Sequence, residues 1–161
     1  MAKTVDAKPA HLHTITPYLT IKDAHKAMEF YKTAFGAEEL MVMNGPDGKL
    51  MHGEIKIGDS VLFLGDECEQ RGKLGPLSRG GSTCSLMVYF ENVDAAFDKA
   101  VKAGCTVEMP LTDMFWGDRY GALVDPFGQS WSLAKHIEDV NLDEMKKRQE
   151  AACKQMAQAM K

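Results

Sequence analysis

The 161-residue chain has no Cys-x-x-Cys pair, no long apolar run and no cluster of basic residues interleaved with aromatics. Cys68, Cys84, Cys105 and Cys153 stand far apart, so neither a zinc knuckle nor a dithiol redox motif is suggested. They read as separate reduced thiols that behave as small apolar residues. Apolar stretches such as residues 60–64 are too short to span a bilayer, and the opening Met-Ala-Lys-Thr-Val-Asp lacks the apolar region of a signal peptide. No membrane partner and a cytoplasmic address are therefore expected. A net charge of −4 and a pI near 5.7 argue against a nucleic-acid partner.

What is present suits one globular domain with a continuous apolar core. Residues 1–13 lack periodic apolar character and read as a flexible leader. From Thr14 to Ile21 the side chains alternate as in a strand, with Pro17 pointing to an edge or a bulge. A helix follows, with Asp23 as N-cap, a stripe of Ala24, Ala27, Met28, Tyr31 and Phe35, and Gly36 as its stop. Strands are predicted over 39–43, 51–57 and 60–64, separated by the turns Asn-Gly-Pro-Asp-Gly and Gly-Asp.

Residues 67–82 are polar and glycine-rich and suit a linker or mobile loop. The pattern then repeats: a strand over 84–90, a helix over 93–103 closed by Gly104, and strands over 106–109, 120–124 and 129–134. Residues 21–30 resemble residues 90–99, a weak internal repeat of two β-α-β-β-β modules. The predicted organisation is module one over 14–66, the loop over 67–82 and module two over 83–136, together one domain over 14–136. A C-terminal helix is predicted within 137–161. Asn141 and Glu144 resemble a capping box there, and Met145, Ala152, Met156 and Met160 form a narrow stripe that docks on its own domain or on a partner subunit.

Four strings, Thr-Pro-Tyr-Leu-Thr-Ile-Lys-Asp-Ala, Ala-Met-Glu-Phe-Tyr-Lys-Thr-Ala-Phe-Gly-Ala, Ile-Gly-Asp-Ser-Val-Leu and Trp-Gly-Asp-Arg-Tyr-Gly-Ala-Leu-Val-Asp-Pro-Phe-Gly-Gln-Ser-Trp-Ser-Leu-Ala, resemble the PhnB-like branch of the glyoxalase/bleomycin-resistance (vicinal oxygen chelate) superfamily. The resemblance runs from about residue 14 to residue 148. It implies an α+β fold of two paired βαβββ modules forming a U-shaped cleft, and a homodimer. It also implies four cleft-facing positions that hold a divalent ion in the superfamily's metal enzymes. Counted from Asp23, Gly58 and Asp125, these fall here on Thr16, Phe63, Ser85 and Ser132, none of them His, Glu or Asp. Hydroxyls and a phenyl ring do not replace imidazole, thiolate or carboxylate donors, so no metal and no cofactor are expected at the usual site.

Strand alternation sends Trp131 and Leu133 to the core and Ser130 and Ser132 to the cleft, beside Thr16, Tyr18, Phe63, Ser85, Met87 and Tyr89. Such a surface suits a flat organic ligand. His52, Glu54 and Lys56 share one face of a strand; they bond across a wet sheet face, touch ligand, or supply acid, base or metal chemistry. His11 and His13 in the leader are candidate extra ligands. Trp116 and Arg119 either stack on and clamp a ligand, or cover the core edge and pair with Asp118, Asp125 or another carboxylate. His136 and Glu138 read as surface residues.

The expected function is metal-independent binding or sequestration of a small aromatic molecule, as in the superfamily's bleomycin-resistance members, with antibiotic resistance as its outcome. The alternative is a glyoxalase-like lyase or dioxygenase-type enzyme with a non-standard site around His52 and Glu54. The methyltransferase label sometimes attached to PhnB-like sequences finds no support, because no glycine-rich strand-to-helix turn is present.

Overall fold

A computed structural model describes residues 5–159, and the chain divides into two compact units, Met1–Cys84 with Pro126–Gln129, and Ser85–Asp125 with Ser130–Lys161. The first four residues of the expected leader and the last two of the expected helix, Met160 among them, lie outside the described residues.

In the first unit β1 (Tyr18–Ile21), β2 (Glu38–Asn44), β3 (Leu50–Ile57) and β4 (Ser60–Asp66) form a sheet of order β1-β4-β3-β2, with β1 parallel to β4 and the other pairs antiparallel. Helix α1 (Ala24–Phe35) covers one face, burying Ala24, Ala27, Met28, Tyr31 and Phe35 at the spacing of a single helical stripe. Leu19, Ile21, Ile55, Leu62 and Leu64 are buried in the sheet. Gly53 belongs to the helix-facing side, since a Cβ there would stand 2.9 Å from the Met28 sulfur. Gly36 ends α1 in the left-handed conformation that glycine adopts without a Cβ clash.

Three expectations for this unit change. The first strand begins at Tyr18 and not at Thr14; Pro17 directly precedes it, and its carbonyl accepts from Phe63 N at 2.9 Å. Asp23 precedes α1 in a left-handed conformation (φ 61) and makes no capping bond. Asp66 of β4 does so instead, its Oδ1 accepting from Ala24 N at 3.0 Å. The segment expected to be a plain loop carries a 3-10 turn at Glu69–Arg71, helix α2 (Pro76–Arg79) and a bridge between Cys68 and Lys73.

The second unit repeats the plan. Strands β5 (Ser85–Tyr89), β6 (Thr106–Asp113), β7 (Asp118–Val124) and β8 (Ser130–His136) lie in the order β5-β8-β7-β6, with β5 parallel to β8. Helix α3 (Val93–Ala103) buries Val93, Phe97 and Ala100, and the Asn92 side chain caps it by accepting from Ala95 N at 3.1 Å. Strand β6 runs past Pro110, where a strand end was expected; it is an edge strand with register shifts, and an edge tolerates the missing N–H. Trp131 is wholly buried beside Leu133, and its indole N–H donates to Asp125 Oδ2 at 2.9 Å.

The tip of Asp-Pro-Phe-Gly belongs to the first unit. Phe127 meets Phe30 and Tyr31 edge-on, with ring centroids 5.9 and 6.4 Å apart. The terminal helix α4 (Leu142–Ala159) is capped by Asn141, whose Oδ1 accepts from Glu144 N at 3.0 Å. The reciprocal half of a capping box is replaced, since Glu144 accepts from the Arg148 guanidinium at 2.9 Å. Arg148 also forks onto Glu138 through two 2.8 Å bonds, tying the helix to the strand-following segment of its own unit.

Candidate functional site

The sheet face of the first unit turned away from α1 carries Tyr18, Phe63, Glu54 and His52, brought together by the register Tyr18↔Phe63 and Glu54↔Phe63. The rings of Tyr18, His52 and Phe63 form a triangle with centroid distances of 5.7, 6.0 and 4.9 Å. Glycine at 65 makes room for the tyrosine: a Cβ there would lie 2.8 Å from the Tyr18 hydroxyl. Glu54 is buried (8% exposed) and takes an imidazole on each oxygen, His52 Nε2 at 3.2 Å and His11 Nε2 at 3.4 Å. His13 Nε2 lies 3.1 Å from the Asp59 carbonyl. Both leader histidines therefore lie against the first unit, although only His11 reaches Glu54. Thr16 precedes the strand, its hydroxyl donating to the His13 carbonyl at 3.1 Å.

On the second unit the equivalent face is organised around two hubs. The buried Ser132 Oγ lies 2.9 Å from Ser85 Oγ and 2.9 Å from the Tyr120 hydroxyl. Met87, opposite Ser132 in the ladder, and Tyr89 stay exposed. The second hub is Asp118, buried, whose Oδ2 accepts from Tyr89 OH (3.1 Å) and Trp116 Nε1 (3.2 Å) while Oδ1 faces His136 Nδ1 at 2.9 Å. Trp116 also meets Tyr120 edge-on at 5.8 Å. Hydrogen bonds to Asp118 and then Asp139 hold His136 above the ordinary histidine pKa of 6.5.

Arg119 stands apart from these groups. It follows Asp118 and precedes Tyr120, so alternation sends it to the face that carries α3. There its guanidinium bonds Asp94 at 2.6–3.1 Å and Asp113 at 2.9 Å, which pulls the Asp94 carboxyl below its usual range. Its partners are thus carboxylates of α3 and β6 and not Asp118 or Asp125.

Reading the sequence marks Phe115, Trp116, Asp118, Arg119 and Tyr120 as one cluster but gives a ligand role only to Trp116 and Arg119, and it reads His136 as a surface residue. Tyr120 and Asp118 lie in ladder positions opposite Ala134 and His136. The sequence reading also missed a pocket of about 750 Å³ on the first unit, between the β2–β3 turn and residues 66–78. Among the candidate residues only Tyr18 lines it. Among the described residues no group of three or more His, Cys, Asp or Glu is placed to hold a metal ion. No described helix is long and apolar enough to cross a membrane.

The model of the Glyoxalase/Bleomycin resistance protein/Dioxygenase superfamily matches residues 10–133. An uncharacterized protein of Mycobacterium bovis is 41% identical over 144 residues, covering 88% of this chain and 92% of the relative. Two solved structures share the fold. The PhnB protein from Bacillus cereus has a TM-score of 0.60 at 21% identity, over 76% of this chain and 99% of that one. TnmS3, an antibiotic binding protein from Streptomyces sp. CB03234, has a TM-score of 0.59 at 22% identity, over 80% and 99%. With the two βαβββ units and the matched family model in hand, the chain belongs to the glyoxalase/bleomycin resistance protein/dioxygenase superfamily.

Proposed function

We propose that the protein binds a small aromatic organic molecule without a metal ion, through ring contacts and hydroxyl hydrogen bonds on its open sheet faces. The observation that carries this reading is Ser132, whose buried hydroxyl is shared between Ser85 and Tyr120 at a position where the family resemblance implies a ligand in the superfamily's metal enzymes. Neutral hydroxyls bonded to one another are a poor donor set for a divalent ion, and Thr16, Phe63 and Ser85 are no better. Rings and hydroxyls do orient a flat apolar ligand. The first unit's face, taken by itself, offers Tyr18, His52, Glu54 and Phe63 as proposed contacts, and the second unit's face, taken by itself, offers Ser85, Met87, Tyr89, Trp116 and Ser132. Arg119 acts there only if a ligand draws it from Asp94.

The description of TnmS3 as antibiotic binding supports sequestration of an antibiotic, and hence resistance, as the form this binding takes. Leu40, Met41 and Met43 are exposed on the edge strand β2, which favours a homodimer. Four free cysteines fit the reducing cytoplasm. Light scattering after size exclusion tests the dimer.

The test of binding is metal analysis of protein purified without chelators, followed by tryptophan fluorescence titration with aromatic antibiotics and quinones. Trp131 is enclosed, so quenching reports on Trp116. Quenching by a metal-free protein, weakened in Ser132→Ala, is the expected result. A stoichiometric ion whose stabilising effect vanishes in His52→Ala overturns it. That outcome favours a second reading, a lyase- or dioxygenase-type site at Glu54, supported by the imidazole on each oxygen of its buried carboxylate.

A further inference from the structure

The pocket on the first unit differs in chemistry from the sheet faces, and we propose that it takes a small organic anion, a carboxylate or phosphate head on a flat body. It goes beyond the preceding proposal, since only Tyr18 belongs to both sites.

The pocket wall carries the cations Lys22, Lys49, Arg71 and Lys73 and the carboxylates Asp23, Asp47, Asp66, Glu67 and Glu69. The five carboxylates outnumber the four cations by one, so the placement of the groups still free to bind, and not the summed charge, decides what the pocket attracts. Asp66 accepts from Ala24 N at 3.0 Å on one oxygen and from Leu50 N at 2.7 Å on the other. Glu67 accepts from Gly75 N at 2.6 Å and Ser78 Oγ at 2.9 Å. Asp47 takes Lys49 N at 3.2 Å, and Asp23 takes the Lys26 ammonium at 3.3 Å. Asp66, Glu67 and Asp47 are thus engaged by backbone N–H groups and Asp23 by an exposed ammonium, leaving Glu69.

The cations are not so engaged. Among the described residues, Lys22, Lys49, Arg71 and Lys73 have no carboxylate at ion-pair distance. Lys73 Nζ instead lies 5.8 Å from the centroid of the Tyr18 ring. Charged donors without carboxylate partners around one cavity recognise an anion, and the Tyr18 ring at the same wall offers its flat body an aromatic contact. The loop that carries Arg71 and Lys73 is also held in place. Cys68 and Lys73 exchange backbone bonds of 2.8 and 3.0 Å, Arg71 N donates to Cys68 O at 3.0 Å, and the Arg79 guanidinium closes the loop on the Leu74 and Gly72 carbonyls. A volume near 750 Å³ is in the range that takes a drug-sized ligand.

Calorimetric titration of the full chain with benzoate, phenyl phosphate and the neutral benzamide tests the assignment. At least one anion binds, benzamide binds roughly tenfold or more weakly, and added salt weakens only the anions. The double variant Arg71→Gln/Lys73→Gln loses roughly tenfold or more in affinity, whereas Lys102→Gln on α3 of the second unit retains it. Tighter binding of phenyl phosphate assigns a phosphate head, and tighter binding of benzoate a carboxylate. Equal binding of benzamide, no binding of either anion, or unchanged affinity in a folded double variant overturns the proposal. If the double variant does not fold, Lys49→Gln decides, and unchanged affinity there overturns it.

Discussion

Asp66 holds Ala24 by its backbone N–H at 3.0 Å through one carboxylate oxygen while its other oxygen holds Leu50 N at 2.7 Å. One side chain thereby fastens the first turn of α1 and the start of β3 to the end of β4. Removing it leaves two backbone donors without their acceptor. Asp66→Ala is expected to destabilise the fold by about 2–3 kcal/mol, read as a lower urea midpoint at unchanged slope. Asp23→Asn, which removes no capping bond and keeps a side chain that tolerates the left-handed backbone there, is expected to cost less than about 0.5 kcal/mol.

The buried Ser132 hydroxyl joins exposed Ser85 and half-buried Tyr120 within one hydrogen-bonded network. Ser132→Ala and Tyr120→Phe are each expected to cost about 1 kcal/mol, and a double-mutant cycle between them to return a coupling of about 0.5–1.5 kcal/mol. Strict additivity would mean that the hydroxyls do not act as a unit.

His136 has its folded pKa raised first by the hydrogen bond to Asp118 and then by that to Asp139. A raised pKa means that the folded state holds the proton more tightly than the unfolded one. The stability contributed is therefore complete below the ordinary value of 6.5 and is lost as pH rises through the folded value. Titration of the His136 ring by NMR is expected to show a midpoint above 6.5 that falls in Asp118→Asn. A midpoint unmoved by that substitution would assign the shift elsewhere.

Cys105 is buried, and burial followed by the neighbouring Asp125 charge pushes its thiol up to about 12. It is expected to resist iodoacetamide at neutral pH while exposed Cys84 and Cys153 are alkylated, the order read by peptide mass spectrometry. Early labelling of Cys105 would mean that the second unit opens more readily than its packing implies.

Features written in local sequence were legible before the structure. The Ala24-Ala27-Met28-Tyr31-Phe35 stripe, the alternation around Trp131 and the turns marked by glycine all rest on neighbours within a few residues. Features made by distant residues were not. The cap on α1 comes from a residue 42 positions away, so Asp23 offered a plausible local substitute that the backbone does not use. Pro110 signalled an ending because nothing in its own neighbourhood says that β6 is an edge. For the site, alternation put Ser132 on the face opposite Trp131. The link from His136 to the buried Asp118 and the pocket against residues 66–78 depend on how loops close, and no short stretch encodes that.

Pro110 also bears on how the molecule behaves in a crowd. The outer edge of an antiparallel sheet is a template onto which another chain can add a strand. At β6 that template is interrupted twice over, by a residue with no N–H to offer and by the register shifts on either side of Met109. A foreign strand approaching there meets a broken row of donors, so this edge of the second sheet carries its own guard against unwanted growth.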